Sequence, residues 1–358
     1  MNQPIDKMTF AYKILIWYSQ NKRTLPWRRT RDPYRIWLSE IMLQQTRVEQ
    51  GTPYYLKFVS NFPTIEDLAM ASEERIMKLW QGLGYYSRAR NLHTTAKTVV
   101  ADYQGEFPKT YKELIKLKGI GDYTASAIAS ICFNAPEPVV DGNVYRVLSR
   151  YYGIDTPINS TEGIKYFKGL AREVMDVDNI RDYNQAIMEF GAIQCAPKNP
   201  KCNSCPLKES CVALQKNTVA VLPVKINKTK VRKRFFNYVV PIFEIEGIPK
   251  SILKQRTGKG IWQNLFEFPL YESEGAINET QLRAEISELL QVEDDPEIFQ
   301  YNEKVIVHKL SHQHLYTTFW IVKMNIPLEN GLTIKEIENH AVPVLIADFL
   351  KTFKNLYF

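Results

Sequence analysis

The spacing of apolar residues changes once along the chain, near residue 235. Between roughly residues 9 and 215 the apolar positions recur at helical intervals, and strand-like alternation is scarce. After residue 235 the period becomes two, with helical spacing returning in two short stretches. The pattern predicts an all-α first domain (residues 1–215), a basic linker containing Pro223 (residues 216–234) and an α+β second domain (residues 235–358).

Basic residues are unevenly distributed between the predicted domains. The 358-residue chain has a formal net charge of +7, which divides into +13 for residues 1–234 and −6 for residues 235–358. A basic first domain suits a polyanion such as nucleic acid, although a basic excess can also serve solubility alone. No apolar run is long enough to cross a membrane and the N-terminus has no apolar core, so we expect a soluble cytoplasmic protein.

Residues 114–148 predict two helices joined by a tight turn and followed by a third helix. Gly119 and Gly121 form the turn. Such a turn can offer unpaired backbone N–H groups to a phosphate, and glycine lets a nucleic-acid backbone approach closely. Two prolines then stop the second helix, and Asp141 and Asn143 stand where the third begins. An ordinary helical hairpin with an Asp or Asn cap fits the same pattern.

Four of the five cysteines fall in one short window. Cys195, Cys202, Cys205 and Cys211 are spaced Cys-x6-Cys-x2-Cys-x5-Cys, which is typical of a ligand set for zinc or for an iron–sulfur cluster. Zinc ribbons usually have two Cys-x2-Cys pairs, whereas this window has one. The fifth, Cys132, lies in an apolar helix and is expected in the core.

Glu40 is surrounded by apolar residues in a predicted helix. Ile36 and Trp37 precede it by one turn, and Leu43 follows it by one turn. Partial burial raises the pKa of a carboxyl group, as a general acid working near neutral pH requires. From residue type alone, a glutamate on a solvated helix face is the alternative.

Segments of the first domain closely resemble the adenine DNA glycosylases of the MutY type: Trp27-Arg28, residues 37–46 and residues 82–92. The hairpin and the Val139–Asn143 segment resemble the helix–hairpin–helix–Gly/Pro–Asp signature of the DNA glycosylase superfamily. The cysteine spacing resembles the iron–sulfur loop of endonuclease III and MutY. The resemblance covers nearly the whole chain and implies a 4Fe-4S cluster as cofactor and double-stranded DNA as partner.

The resemblance implies a division of labour between two carboxyl groups. Glu40 protonates adenine at N7, and Asp141 stabilises the sugar cation, or bonds it covalently, before water attacks. Tyr123 and Asn143 match positions that support this pair by hydrogen bonding. Bifunctional relatives have a lysine at the position of Tyr123, and its amine forms the Schiff base that leads to strand cleavage. Because tyrosine cannot form one, we expect a monofunctional glycosylase.

Further positions match residues of the family that contact the base or the DNA. They are Trp27, Arg28, Leu43 and Gln185 in the adenine pocket, Gln45 and Tyr85 as the wedge that fills the gap left by a flipped base, and Gly119 and Gly121 at the hairpin. Core packing or a solvated helix surface is the alternative for each of these side chains.

The second domain resembles a Nudix, or MutT-like, domain. Residues 260–269 resemble its strand segment, but the helix at 282–289 lacks the full acidic array that binds magnesium there. We therefore expect this domain to recognise rather than hydrolyse. Leu310, Ser311 and His312 match the Phe-Ser-His loop of MutY that recognises 8-oxoguanine, with leucine in place of phenylalanine. A polar turn between strands is the alternative.

The sequence thus predicts an adenine DNA glycosylase of base excision repair. We expect a monomer that acts on duplex DNA with A:8-oxoguanine or A:guanine mispairs, in the cytoplasm or, in a bacterium, on the nucleoid. Two alternatives stay open: a thymine or uracil mismatch glycosylase on the same scaffold, and a non-catalytic, redox-sensing DNA-binding protein. The last would need neither Glu40 nor Asp141.

Overall fold

The computed structural model describes residues 7–226 and 231–357, which form two compact units. The first unit comprises residues 7–70 and 91–226, and the second comprises residues 71–90 and 231–357. The domain limits read from the sequence stay a prediction. The remaining residues, including 227–230 of the predicted linker, lie outside the described part of the chain.

Helices dominate the first unit, and several others lie in the second. In chain order the helices are α1 (Lys7–Asn21), α2 (Pro33–Leu43), α3 (Val48–Asn61), α4 (Ile65–Met70), α5 (Glu73–Trp80), α6 (Ser87–Tyr103), α7 (Tyr111–Leu114), α8 (Asp122–Phe133), α9 (Gly142–Tyr152), α10 (Thr161–Val174), α11 (Ile180–Ile193), α12 (Val212–Gln215), α13 (Glu279–Leu290), α14 (Ile334–Asn339) and α15 (Val344–Tyr357). Among the described residues, no helix combines the length and apolar character that crossing a membrane requires.

Capping residues set the helix ends that matter for the candidate site. The Asp32 side chain accepts a hydrogen bond from the N–H of Tyr34, which starts α2. Helix α8 ends at Asn134, whose left-handed backbone (φ 58°) leads into the segment with the two prolines. Asp141 caps the start of α9, and Gly153 (φ 69°) ends it. The sequence therefore determines where the two helices on either side of the proline segment stop and start.

One apolar core joins α1, α8, α9, α10 and α11. Its buried side chains include Trp17, Ile131, Val144, Phe167 and Phe190. Burying a side chain of this size contributes about 1.5–3 kcal/mol. Residues 216–226 of the predicted linker are attached to the same unit, since the N–H of Ile158 donates to the carbonyl of Val224 at 3.0 Å.

The second unit is built around a mixed sheet. Its strands are β1 (Arg232–Ile245), β2 (Ile248–Lys250), β3 (Lys254–Gln255), β4 (Phe266–Glu267), β5 (Leu270–Ser273), β6 (Glu297–Gln300), β7 (Ile306–Lys309) and β8 (Gln313–Lys323). The main sheet has the order β2-β1-β8-β6, with β5 paired to β1 and β7 paired to β8; β3 and β4 form a separate pair. Strands β1 and β8 are parallel, and the other pairs are antiparallel.

Helices cover this sheet on both faces. Helix α13 packs on Val239, Phe243 and Trp320 on one face, and Phe349 of α15 stacks on Phe319 of the other at 4.0 Å between ring centroids. The middle of β1 and of β8 is buried continuously, as expected for strands covered on both faces, and burial alternates only at residues 313–316 of β8. The predicted fold class, an all-α unit and an α+β unit, is confirmed.

Candidate active site

Glu40 lies in α2 among buried side chains, including Ile36, Trp37 and Ile41. Burial raises the pKa of its carboxyl group to about 7. A hydrogen bond with Tyr123 and the positive charge of Arg28 oppose this rise, and the negative charge of Asp141 adds to it. A carboxyl group in this setting can hold a proton near neutral pH.

Asp141 has a different environment at the start of α9. Its Oδ1 accepts hydrogen bonds from the backbone N–H groups of Asn143 and Val144 at 2.9 and 2.8 Å, and its Oδ2 accepts one from Asn143 Nδ2 at 2.7 Å. Burial raises the pKa of Asp141, and these three donors oppose that rise. These donors and the positive end of α9 favour the charged form, so Asp141 is the better placed of the two carboxyl groups to carry a negative charge.

Tyr123, in the first turn of α8, hydrogen-bonds to Glu40 and lies within range of the charge of Asp141. Burial, together with the charges of Glu40 and Asp141, raises the pKa of its hydroxyl well above 10, so the phenol stays neutral. The hydroxyl lies 3.3 Å from Met188 Sδ and also interacts with Glu40. A thioether is the weaker acceptor, so we take the ionised Glu40 carboxylate as the partner that receives this hydrogen bond.

Arg146, a buried residue of α9 that the sequence analysis did not identify, orients Asn143. Its Nη2 donates to Asn143 Oδ1 at 2.8 Å and to the carbonyl of Gly191 at 2.6 Å. Its Nε donates to the carbonyl of Cys195 at 2.8 Å. Because the Asn143 oxygen is occupied by arginine, its amide NH₂ must face Asp141. The same guanidinium thus contacts both Asn143 and the first residue of the cysteine cluster.

Arg28 and Gln185 line a cavity of about 690 Å³, whose wall also includes Tyr18. The Tyr18 hydroxyl donates to Gln185 Oε1 at 3.2 Å. Arg28 Nη2 donates to Glu189 Oε2 at 2.8 Å, and Glu189 also accepts from Arg23. Although burial alone would raise the pKa of Glu189, these hydrogen bonds lower it to about 2. Glu189, which the sequence analysis did not select, therefore holds Arg28 in place as a permanent anion.

The other pocket residues predicted from the sequence have varied surroundings. Trp27 is buried, with its ring packed edge-on against Tyr55 at 5.3 Å. Leu43, the last residue of α2, packs on Gly51, where an added Cβ would lie 2.8 Å from Leu43 Cδ2. Gln45 is exposed in a left-handed backbone conformation (φ 56°). Gln45 is accessible to a ligand, whereas Trp27 lies in the core.

The predicted hairpin turn is present at residues 119–121, directly before α8. Gly119 has φ 80°, and an added Cβ would lie 2.7 Å from the Cβ of Asn91, so glycine is required there for two reasons. Gly121 caps α8, and an added Cβ would meet nothing within 4 Å. The exposed turn leaves the first N–H groups of α8 open to an anion.

The four clustered cysteines line one small cavity together with Arg150. Arg150 Nη1 lies 3.5 Å from Cys195 Sγ. Burial, the main cause, and the charges of the other three cysteines together raise the pKa of Cys205 to about 11, against a backbone hydrogen bond that lowers it, so four thiolates here need a positively charged centre. Across the described residues, no three His, Cys, Asp or Glu side chains are arranged to hold a single metal ion. Four cysteine side chains lining one cavity are the donor set that an iron–sulfur cluster uses.

In the second unit, Tyr85 and the loop 310–312 line one cavity of about 600 Å³. Tyr85 is 50% exposed and has a left-handed backbone conformation (φ 51°). Ser311 Oγ lies 3.2 Å from His312 Nδ1, and both side chains are exposed. Trp262 and Arg234 complete an aromatic and cationic wall. The structure therefore brings Tyr85, Leu310, Ser311 and His312 together.

Comparison with known proteins identifies related families for both parts of the chain. Residues 38–185 match the family described as HhH-GPD superfamily base excision DNA repair protein, and residues 246–352 match the NUDIX domain. An adenine DNA glycosylase of Buchnera aphidicola subsp. Baizongia pistaciae (strain Bp) is 38% identical over 337 residues, which are 91% of this chain and 90% of that protein. The adenine DNA glycosylase of Homo sapiens is 45% identical over 216 residues, 58% of this chain and 40% of that protein.

Solved structures resemble the helical part. A thermostable thymine-DNA glycosylase matches with a TM-score of 0.55 and 33% identity, over 59% of this chain and 97% of that chain. A non-covalent endonuclease III–DNA complex matches with a TM-score of 0.51 and 22% identity, over 60% of this chain and 99% of that chain. The second likeness is one of fold.

Proposed function

Because the chain belongs to the adenine DNA glycosylase family, we propose that it removes adenine mispaired with 8-oxoguanine or guanine from duplex DNA. The observation that carries this proposal is the contrast between Glu40 and Asp141. One carboxyl group is half-buried among apolar side chains, which raises its pKa to about 7, and the other accepts three N–H hydrogen bonds. Cleavage of an N-glycosidic bond needs such an acid and such an anion.

Each group has a defined task in this proposal. Glu40 donates its proton to N7 of the flipped adenine, and the neutral Tyr123 stabilises the carboxylate that remains. Asp141 faces the sugar cation, with its charge held by Asn143 and the start of α9. Water then completes the hydrolysis. The phenol of Tyr123 cannot form a Schiff base with the sugar, so the product is an intact abasic strand.

We propose that Arg28, Leu43 and Gln185 contact the adenine, with Trp27 supporting the pocket from the core. Arg28 and Gln185 line the same cavity, and both can hydrogen-bond to a purine edge. Gln45 and Tyr85 are proposed as the residues that fill the gap in the duplex. Their exposure and left-handed backbone conformations support this role. Gly119 and Gly121 are proposed to bind the DNA backbone.

We propose that Cys195, Cys202, Cys205 and Cys211 hold a 4Fe-4S cluster. When bound, such a cluster supplies a rigid cationic centre that shapes the surrounding loop. Lys201 and Lys208 lie beside the cysteines and can face DNA phosphates. Arg146 and Arg150 bind carbonyl groups of the same loop, which supports a structural connection between it and α9.

Recognition of 8-oxoguanine is proposed for Leu310, Ser311 and His312. A serine hydroxyl and an imidazole nitrogen can distinguish an oxidised purine by its altered donors and acceptors. Their position beside Tyr85 in one cavity supports this assignment. Leu310 supplies an apolar contact without aromatic stacking. The protein is further proposed to act as a monomer in the cytoplasm, on the nucleoid if the source is a bacterium.

Single-turnover incubation with three duplexes tests the proposal. The duplexes carry adenine opposite 8-oxoguanine, adenine opposite guanine, and thymine opposite guanine, and each is assayed with and without alkali. We expect alkali-dependent cleavage at adenine, fastest opposite 8-oxoguanine. Release of thymine would favour the mismatch glycosylase alternative, and binding without release of any base would favour a non-catalytic protein. Cleavage without alkali at the rate of base release would contradict the monofunctional chemistry.

A further inference from the structure

The sheet of the second unit has one face that is covered at one end and open at the other. On β1 and β8 the covered end begins at Asn237 and Thr318, which are buried, and continues into the core beneath α13. The open end lies next to the loop 310–312, because β7 leads into that loop and β8 leads out of it. The backbone N–H of Arg232 also donates to the carbonyl of His312 at 3.1 Å.

Two rows of side chains cross this open end. The strand register places Lys309, His314 and Lys233 side by side in the first row, nearest the loop. Val307, Tyr316 and Phe235 form the second row. We call these six residues the cation–aromatic face. Both lysines are exposed, Val307 is 41% exposed, and the aromatic rings and His314 are half-buried.

The two aromatic rings form a short stack that runs across the strands. The ring centroids of Phe235 and Tyr316 are 5.1 Å apart with an interplanar angle of 24°. Lys233 Nζ lies 5.8 Å from the centre of the Tyr316 ring. On the other side of Phe235 the residue in register is Ser273, on β5. Serine is too small to cover an aromatic ring, so the outer face of Phe235 can accept another flat ring.

The spacing of the rows suits a nucleic-acid strand. Successive rows on one face are two residues apart, or about 6.6 Å along the strand. That distance is comparable to the offset between a phosphate and the base of the same nucleotide. A row of cations beside a row of stacked rings combines the two contacts by which proteins bind single strands.

Charge distinguishes this face from the rest of its domain. Residues 235–358 carry a net charge of −6, and Lys233 belongs to the basic segment 216–234 that precedes them. The cation–aromatic face contains two lysines and one histidine and no acidic residue. The bases of an intact duplex are stacked inside the helix and cannot reach protein rings, so the complementary partner is unpaired DNA.

We propose that the cation–aromatic face binds single-stranded DNA that continues from the duplex held at the loop 310–312. Phosphates lie along the row of Lys309, His314 and Lys233, and a base stacks on Phe235 above Ser273. The position of the duplex rests on the proposed function, whereas the binding of an unpaired strand does not. The site therefore lets the protein engage a mispair close to a single-stranded junction.

Fluorescence anisotropy with tailed duplexes tests this inference. The probes are an undamaged duplex, the same duplex with a tail of six unpaired thymidines at either end of one strand, and a duplex whose tail consists of abasic spacers. We expect a thymidine tail to tighten binding at least about 5-fold, because stacking on an aromatic side chain contributes to binding base by base. The abasic tail, which has the phosphates without the bases, should lose most of that gain.

Variants assign the effect to this face. Phe235→Leu should abolish the gain from the tail, and Lys233→Gln should lower the dependence of log affinity on log salt by about 0.7. The matched controls are Lys323→Gln, which changes an exposed lysine at the opposite end of β8, and Tyr12→Leu, which changes an exposed aromatic residue of α1. Both controls should leave the gain from the tail and the salt dependence of the affinity unchanged. Binding of the blunt duplex should be the same for all four variants, which separates this test from that of the proposed function.

Cross-linking provides a readout that does not depend on folding of a variant. Tails containing 5-iodouracil should cross-link to peptides that contain Phe235 or Tyr316 when irradiated with the full-length wild-type protein. Cross-links confined to the first unit, a full gain from the abasic tail, or no gain from either thymidine tail would each overturn the inference.

Discussion

Glu40→Gln is expected to inactivate the protein and to stabilise it at alkaline pH. The folded environment raises the pKa of this carboxyl from 4.5 to about 7, mainly by burial. The folded-state pKa lies above the unfolded value, so below about pH 4.5 the carboxyl is protonated in both states and its effect on the free energy of unfolding is most favourable. The free energy of unfolding then falls as the pH rises toward 7. At about 1.4 kcal/mol per pH unit, ionising Glu40 costs about 3 kcal/mol above pH 7.

Glutamine keeps the shape of the side chain and cannot ionise. At about pH 5 the variant and the wild type should therefore differ in stability by less than about 1 kcal/mol, whereas at about pH 8 the variant should be more stable by up to about 3 kcal/mol. Thermal unfolding at the two pH values measures this, with an expected shift of about 2–4 °C for each kcal/mol. Glu106→Gln, at an exposed position of the same unit, is the control and should show no such pH dependence.

The same variant, Glu40→Gln, should lose excision activity although it gains stability at alkaline pH. Loss of a general acid lowers the single-turnover excision rate by about 10²–10⁴-fold. In the wild type the rate should be level below about pH 7 and fall tenfold per unit above it, because only the protonated carboxyl can donate. If Glu40→Gln had the same effect on stability at both pH values, or if the wild-type rate kept rising as the pH fell from 7 to 5, the assignment of a buried acid would be refuted.

Three further outcomes follow from the geometry. Asp141→Asn should abolish excision while mispair binding persists, as measured by gel shift beside single-turnover assays; loss of both together would contradict its role. Gly191→Ala should cost about 1–3 kcal/mol and slow excision, because the new Cβ would lie 2.6 Å from Asn143 Cβ and 2.8 Å from its carbonyl oxygen. Gly169→Ala, whose Cβ meets nothing within 4 Å in α10, should instead stabilise the helix by about 0.5–1 kcal/mol. Leu310→Phe should increase the preference for adenine opposite 8-oxoguanine about 2–10-fold over adenine opposite guanine, since aromatic stacking adds about 0.5–1.5 kcal/mol.

Local signals were sufficient for much of the fold and for part of the site. The change in period near residue 235 predicted the two kinds of architecture, because hydrophobic spacing reflects which side of an element is buried. Gly119 and Gly121 predicted the turn before α8, and Asp141 predicted the start of α9. Each of these features depends on residues within a few positions of one another.

Breaks inside long patterns were harder to predict. In the sequence, residues 304–324 have the pattern of a single strand, but they form β7 and β8, separated by the loop 310–312. Residues 337–353 have the pattern of a single helix, which is interrupted at 340–343. The polar residues of that loop and Pro343 are the signals for these breaks. The helical apolar spacing around Glu40 continues to Thr46 in the sequence, but α2 ends at Leu43 and Gln45 adopts the left-handed conformation.

Arg146 and Glu189 show why part of the site could not be read from the sequence. Charged side chains are normally placed on the surface, because burying one without partners is too costly. Arg146 is buried with partners up to 49 residues away, and Glu189 is buried with Arg23 and Arg28, more than 160 residues away. Only the packed structure brings those partners together. Sequence reasoning therefore selects the proposed acid and anion, Glu40 and Asp141, more readily than the buried charges that orient their neighbours.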